Sequence, residues 1–409
     1  MWRAITIPWR TKEQIMTRKM KVGVIGCGTM GLEHIGNLAA NSRCGPENVF
    51  VFDQNADVMT TACDRFGVRS ARSLDDLLRD AEIEAVVIAC PNRFHAEMAI
   101  RALDEGKHVM LEKPMALNEE DARRVTAAAK ASGKILHVGF ELRNSLFPRK
   151  VKTMKEELGD LVSAQVVEYR GNFWPQWKGT TTDGGSMYMM ETCHLIDIFR
   201  WWSESEVSEV HAVGSGKNII PYYQYPDTQF TTLVFESGFV GHISLCHVRS
   251  AMPDDFSYSN PTASEEYLKE KYGHQYEYTV VGTKGSLYYL PIKGLLYRYR
   301  HEIQPDGSLW QRLDPSQDTK EFPDHKAGIH NSAVEIDEFL DAVLGNRIER
   351  LDPEDSLKTH LVCFAAEEAL RSRRPVVMGA GGGLHPAPLT SPVKNWEIPS
   401  TAPRLLRTS

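Results

Sequence analysis

The chain of 409 residues contains no long apolar run, no block of like charge, no internal repeat and no CxxC pair. Each absence removes a class of protein. With no uninterrupted stretch of about 20 apolar residues, no segment reads as a membrane-spanning helix, and no membrane partner is expected. The 7 cysteines show neither disulfide-framework nor zinc spacing, so no metal is expected, and reduced thiols point to a cytoplasmic protein. Cys246 and His247 are adjacent in a strand-like segment, which sends their side chains to opposite faces. A net charge of −7, with acids and bases intermixed, excludes nucleic acid as a partner. Residues 1–19 are basic and hold Trp2 and Trp9, but they lack a signal-peptide core; Arg18-Lys19 is followed by no apolar stretch. The chain is long enough for two domains and a large core.

The most informative positive feature is VGVIGCGTMG at 22–31. A short apolar run leads into Gly26-Cys27-Gly28-Thr29-Met30-Gly31, and a helical pattern follows through Leu32, Ile35 and Leu38. Strand, tight turn and helix in that order form a dinucleotide cradle. Gly26 permits the turn, Gly28 admits the pyrophosphate, and Gly31 lets helix and strand pack closely. The anion then sits on the free N–H groups of the helix start, at Gly28, Thr29 and Met30. A second apolar run, Asn48–Phe52, ends in Asp53, whose carboxylate can accept from the adenosine ribose hydroxyls and repels a 2′-phosphate. Gln54 and Asn55 follow, with no arginine or lysine to hold that phosphate, so NAD is expected rather than NADP.

Further strand patterns at 84–89, 107–111 and 134–140 alternate with helical stretches near 95–105 and 118–132, as a doubly wound parallel sheet requires. Cys90, Pro91 and Asn92 leave the first of these strands at its carboxyl end, where open parallel sheets bind ligands. His95 follows and reads as a local packing or capping residue, since no carboxylate partner is evident nearby. Glu112-Lys113-Pro114 leaves the next strand. The proline excludes α geometry at Lys113 and projects it from an extended loop, with either a cis or a trans bond to Pro114. Beside a nicotinamide, the Lys113 ammonium is expected to have a lowered pKa suited to proton exchange with a substrate hydroxyl.

VGVIGCGTMG, VVIACPNRFHAEMAIRALDEGKHVMLEKPMA and GGSMYMMETCHLIDIFRWW together resemble the glucose–fructose oxidoreductase / inositol dehydrogenase (Gfo/Idh/MocA) superfamily, with weaker echoes at 279–289 and 335–346. The resemblance covers residues 20 to 378 or so. It implies an α/β protein: an N-terminal Rossmann domain with a doubly wound parallel sheet, then a C-terminal α/β domain with a large open, mostly antiparallel sheet. It also implies a sugar or cyclitol substrate held between that sheet and the nicotinamide, and a homodimer or homotetramer built through the open sheets. The expected division is an extension at 1–19, an NAD-binding domain at 20–142, a substrate and oligomerisation domain at 143–378, and a Gly/Pro-rich tail at 379–409. Cofactor contacts are expected from Gly26, Gly28, Thr29, Met30, Asp53, Cys90, Pro91, Asn92, Glu112 and Lys113.

The family's third motif usually reads GGGxxxDxGxHxxD, with a catalytic lysine, aspartate and histidine. Lys113 and His194 match, and Asp197 matches the later acid. Met190 stands where the family has its aspartate, Thr192 where it has a glycine, and Glu191 lies three residues before the histidine. Residues three and four apart share a helix face, so Glu191, His194 and Asp197 are expected to converge, with Glu191 replacing the missing acid from a different angle. Lys113, His194 and Glu191 are the catalytic candidates. Asp197 either contacts substrate or holds the imidazole. Phe199, Trp201 and Trp202 read as core. Phe173, Trp174 and Trp177 lie in a Gly/Pro loop where their faces suit a sugar ring or an apolar aglycone, or else core packing. Arg143, Arg170 and Lys178 are candidates for an anionic substituent, or are simply solvated.

The leading expectation is NAD-dependent oxidation of a secondary hydroxyl of a sugar, glycoside or cyclitol. The altered motif keeps a second reading open, a redox-neutral glycoside hydrolase that oxidises C3, eliminates the aglycone, adds water and reduces again. A third is a dinucleotide-binding sensor without turnover. Residues 249–275 read as a polar insertion over the open sheet or near the site mouth, and the tail after Met378 as lacking regular structure.

Overall fold

The computed structural model describes residues 19–170, 175–247, 274–291, 294–314, 331–345, 352–379 and 384–386. Phe173 and Trp174, almost all of the 249–275 stretch and most of both termini lie outside them. Two compact units emerge, and neither is continuous in sequence. One gathers residues up to 145 with 175–197 and the described parts of 331–364; the other holds 146–170, 198–314 and 365 onward. The segment around His194 and part of a late helix therefore fold with the dinucleotide unit.

In the first unit, β1 (Lys21–Ile25), β2 (Val49–Phe52), β3 (Arg69–Ser70), β4 (Ile83–Ile88), β5 (His108–Leu111) and β6 (Leu136–Val138) form one sheet. Its order is β3-β2-β1-β4-β5-β6 and every pair is parallel. Strands covered on both faces must be apolar throughout, and β4, IEAVVI, is buried at five of its six positions. The helix Thr29–Ala40 buries Gly31, His34, Ile35 and Leu38, one stripe at helical spacing. The helix Glu119–Ser132 starts where the Asn118 side chain accepts from the Asp121 N–H, carries three acids in its first turn, and ends at Gly133 in the left-handed region.

In the second unit, β7 (Leu161–Arg170), β8 (Val207–Gly214), β9 (Thr228–Phe235), β10 (Val240–Cys246), β11 (His274–Gly282), β12 (Gly285–Leu290), β13 (Leu295–Ile303), β14 (Leu309–Leu313), β15 (Val376–Met378) and β16 (Leu384–Pro386) form a second sheet. The order is β14-β13-β12-β11-β7-β10-β9-β8-β15-β16. Only β7 and β10 run parallel; the other eight neighbouring pairs are antiparallel. β9 alternates buried and open positions, the mark of a sheet covered on one face. Phe199 and Trp202 are core residues here, whereas Trp201 is half-buried with the Lys152 ammonium over its ring. The tail is not wholly irregular as expected, since β16 adds three of its residues to the sheet edge. Among the described residues no helix is long and apolar enough to cross a membrane.

Candidate active site

The glycine turn has the form a dinucleotide needs. Gly26 adopts φ +99°, and a Cβ there would lie 2.6 Å from the Ala89 carbonyl oxygen; one on Gly31 would lie 2.1 Å from that of Gly26. A Cβ on Gly28 would meet nothing within 4 Å, so the backbone is open on the side where a pyrophosphate approaches. Gly28 caps the helix Thr29–Ala40 without a side-chain bond, which leaves the first-turn amides for an anion. Asp53 reaches back over the turn: Oδ2 accepts from the Cys27 N–H at 2.8 Å and Oδ1 from the Asn55 N–H at 2.8 Å. The residues present therefore fit NAD. Gly26→Ala should abolish measurable NAD binding in a calorimetric titration, because the left-handed backbone costs an alanine about 1–2 kcal/mol before the clash with β4 is counted. Wild-type affinity in that variant would show that the turn does not hold the dinucleotide.

The loops after β4 and β5 are tied together. His95 is buried and places Nδ1 2.7 Å from the Pro114 carbonyl and Nε2 2.8 Å from that of Cys90, while burial lowers its pKa despite both carbonyls. Thus His95 packs locally, joining the two loops expected at the nicotinamide. Cys90 is half-buried and Pro91 exposed, with desolvation lifting the Cys90 thiol to about 12. Asn92 is buried, donating from Nδ2 to the Gly184 carbonyl at 3.1 Å and to the Met190 sulfur at 3.1 Å. The Lys113–Pro114 bond is cis. His360, from the helix Pro353–Ser372, accepts from the Met115 N–H at 2.7 Å and anchors the far side of the loop.

Glu112 lies beneath this loop. Its Oε1 meets His34 Nε2 at 2.6 Å and its Oε2 accepts from the Lys113 N–H at 3.2 Å. Burial opposes charge on both partners, but their mutual hydrogen bond wins: the His34 pKa is raised and that of Glu112 lowered, which makes them a buried ion pair.

Lys113 turns its ammonium to the Met190 carbonyl. Burial pushes its pKa down, but Glu191, Cys193, Glu141 and Glu112 outweigh burial, and the net shift is upward. The expected lowering is thus reversed in the protein itself, because carboxylates surround the ammonium; Glu191 is the strongest of them. His194 goes the other way: burial lowers its pKa, only partly offset by Glu141, so the ring is neutral at neutral pH. Phe140 meets the imidazole edge-on, with centroids 6.0 Å apart.

Met190 and Glu191 belong to a turn of π-helix, Tyr188–Thr192, that runs directly into the helix Cys193–Ser203. A π-turn widens the helix and is frequent at functional sites. Glu191 acts on both Lys113 and His194, whereas Asp197, one turn along the α-helix, is taken up by other partners. Asp197 is completely buried: Arg143 Nε reaches its Oδ2 at 2.5 Å, Arg143 NH2 reaches Oδ1 at 2.6 Å, and the Thr359 hydroxyl donates to Oδ1 at 3.0 Å. Arg143 NH2 also lies 2.8 Å from Asp355 Oδ2. Trp177 is half-buried in a short 3-10 turn, Gln176–Gly179, with the Lys178 ammonium 5.6 Å from its ring centroid. Trp174 and the Arg170 side chain are outside the described residues.

One acidic residue escaped the motif reading. Glu141, in the 3-10 turn Glu141–Asn144 after β6, is buried with Oε2 3.6 Å from His194 Nδ1. A carboxylate just past the carboxyl end of a parallel strand was the available signal.

A glycine cradle on a parallel sheet, with a charged lysine and a neutral histidine beyond its strand ends, defines an NAD-binding oxidoreductase. The chain belongs to the Gfo/Idh/MocA oxidoreductase family: its NAD-binding Rossmann model matches residues 20–140 and its C-terminal alpha/beta model residues 152–378. It is 27% identical over 373 residues to inositol 2-dehydrogenase 3 of Saccharopolyspora erythraea, covering 90% of this chain and 98% of that protein. In fold it is similar to GenD2 from gentamicin A biosynthesis solved with NAD, at TM-score 0.71 and 22% identity, over 92% of this chain and 100% of that one. Levoglucosan dehydrogenase solved with NADH gives TM-score 0.71 and 22% identity, over 88% and 100%.

Proposed function

We propose that the chain oxidises a secondary hydroxyl of a sugar, glycoside or cyclitol. The observation that carries this reading is that the half-buried Lys113 ammonium, bonded to the Met190 carbonyl, and the buried His194 imidazole share one cluster on the dinucleotide unit, where the surroundings favour the charged lysine and the neutral histidine. That is the arrangement an alcohol oxidation needs, a donor to stabilise developing alkoxide and a base to take its proton. Inositol 2-dehydrogenase and levoglucosan dehydrogenase among the similar proteins support the substrate class.

Bound NAD supplies the hydride acceptor at nicotinamide C4. The ammonium of Lys113, with one N–H given to the Met190 carbonyl, keeps further N–H groups for the substrate oxygen. His194 accepts the hydroxyl proton as the C–H hydride leaves, and the alcohol becomes a ketone. Glu191 holds Lys113 protonated through the cycle. Arg143 and Asp197, engaged with one another, fix the His194 helix rather than reach a sugar. Trp177, with Trp174 beside it in sequence, offers aromatic surface to the ring. The same reading includes a homodimer or homotetramer and a cytoplasmic location.

Met190 favours one rival. Where the family carries an aspartate, this chain buries a thioether that accepts from Asn92. A redox-neutral glycosidase cycle through a C3 ketone is the reaction such a change would fit. The test is incubation with NAD and a panel of free sugars, cyclitols and aryl or sulfonated glycosides, following near-ultraviolet absorbance of reduced nicotinamide and aglycone release. Reduced cofactor accumulating with a free polyol is the expected result. Aglycone released with that absorbance flat replaces the dehydrogenase by the glycosidase, and neither signal despite firm NAD binding leaves a sensor.

A further inference from the structure

We infer that Glu141 is the positioning residue for His194, supplying from the turn after β6 the carboxylate that Met190 does not supply. The inference rests on the reading of His194 as the proton acceptor. Three observations on this chain lead to it.

First, His194 Nδ1 is buried and has no hydrogen-bond partner among the described residues. A buried ring nitrogen in that state is costly, and it leaves the tautomer unset. Second, the nearest acid to that nitrogen is Glu141 Oε2, at 3.6 Å. The gap is about 0.4 Å beyond an ordinary N–H···O bond, which a small side-chain rotation closes; catalytic hydrogen bonds are often long before substrate binds. Third, the other carboxylates are engaged elsewhere or act less on the ring. Asp197 is saturated by Arg143 and Thr359, Glu112 is paired with His34, and Glu191, the largest charged influence on Lys113, acts on the imidazole less than Glu141 does. Among the charged neighbours of the imidazole (Glu141, Lys113, Glu191 and Glu112), Glu141 has the largest influence.

The consequence is a fixed division of labour. An Nδ1–H directed at Glu141 makes Nε2 the lone-pair nitrogen, the one free to take the hydroxyl proton. When that proton arrives, the imidazolium is stabilised by Glu141, while the lysine that stabilises the alkoxide is served separately by Glu191. Two carboxylates on two elements thereby replace one aspartate on the helix. Phe140, edge-on to the ring, limits its rotation.

The experiment is nitrogen NMR of histidine-labelled full-length protein, paired with steady-state kinetics of E141Q, which keeps the shape and removes the charge. In wild type, His194 is expected as the Nδ1–H tautomer; an Nε2–H tautomer overturns the inference whatever any variant does. In E141Q the His194 titration, and with it the acid limb of kcat, moves to lower pH, because a carboxylate that raised the pKa is gone. Turnover falls about 10- to 10²-fold with KM nearly unchanged, part of what the base itself contributes. Wild-type kcat and an unmoved titration in E141Q sink the inference, even if His194→Ala is inactive and the reaction reading stands. A titration that moves with Glu141 in a protein that oxidises no polyol supports the contact and counts against the reaction reading instead.

Discussion

His194→Ala lowers turnover about 10²–10⁴-fold, and Lys113→Ala does the same, if both groups perform acid–base work on the substrate hydroxyl. The two losses differ in kind. Without the imidazole there is no proton acceptor, so the deficit grows as pH falls and hydroxide becomes scarce. Without the ammonium the alkoxide lacks its donor, and the deficit is less pH-dependent because Lys113, raised by its carboxylates, is protonated throughout the neutral range. In the wild type, burial keeps His194 below its ordinary pKa, so activity is expected to hold as pH drops through the usual histidine range and to fail only below it. The double variant should cost much less than the product of the two single losses, since groups serving one transition state are not additive. A pH–rate profile of the three variants on the best polyol decides the matter. Turnover near wild type in both single variants would remove the cluster from the chemistry.

Most of the parallel sheet was legible because its inner strands are buried on both faces and read as apolar runs, whereas the exposed two-residue edge strand β3 offers no such run; the glycine turn and Asp53 were legible because their spacing is set by the ligand. Domain membership was less so. Nothing in the spelling of 175–197 says that it folds with the dinucleotide unit, because that follows from Asn92 bonding the Gly184 carbonyl and Lys113 bonding that of Met190. The direction of the Lys113 shift depended on acids brought in from three separate segments, of which only Glu112 is its sequence neighbour. Convergence of Glu191, His194 and Asp197 was argued from α-helical spacing; Glu191 does act on His194, but the π-turn that carries it and the capture of Asp197 by Arg143 are invisible to that spacing. Glu141 stands in no motif at all. Its importance lies in a distance between a turn and a helix, which a single sequence does not record.

Arg143→Ala carries the largest expected loss of stability, roughly 3–5 kcal/mol, the cost of breaking a buried pair by removing one partner. The guanidinium is held charged by Asp197 and Asp355 against burial, and it makes a two-pronged contact that no lysine reproduces. Its loss strands a carboxylate that has no exposure and keeps only the Thr359 hydroxyl. Asp197→Asn should cost less, because the amide oxygen can still accept one Arg143 N–H and the Thr359 hydroxyl, Arg143 keeps Asp355, and no unpaired anion remains, although the amide NH2 opposes the second guanidinium N–H. Replacing the pair together, Arg143→Met with Asp197→Leu, should recover much of the loss, as buried ion pairs often tolerate apolar substitutes. Urea unfolding of the four proteins measures this directly, and an Arg143→Ala midpoint equal to wild type would mean the pair adds nothing. Activity supplies an independent reading. Asp197 lies one helical turn after His194, so a protein stabilised by the apolar pair yet poor in turnover would show that the ion pair sets the angle of the catalytic ring, beyond holding the helix in place.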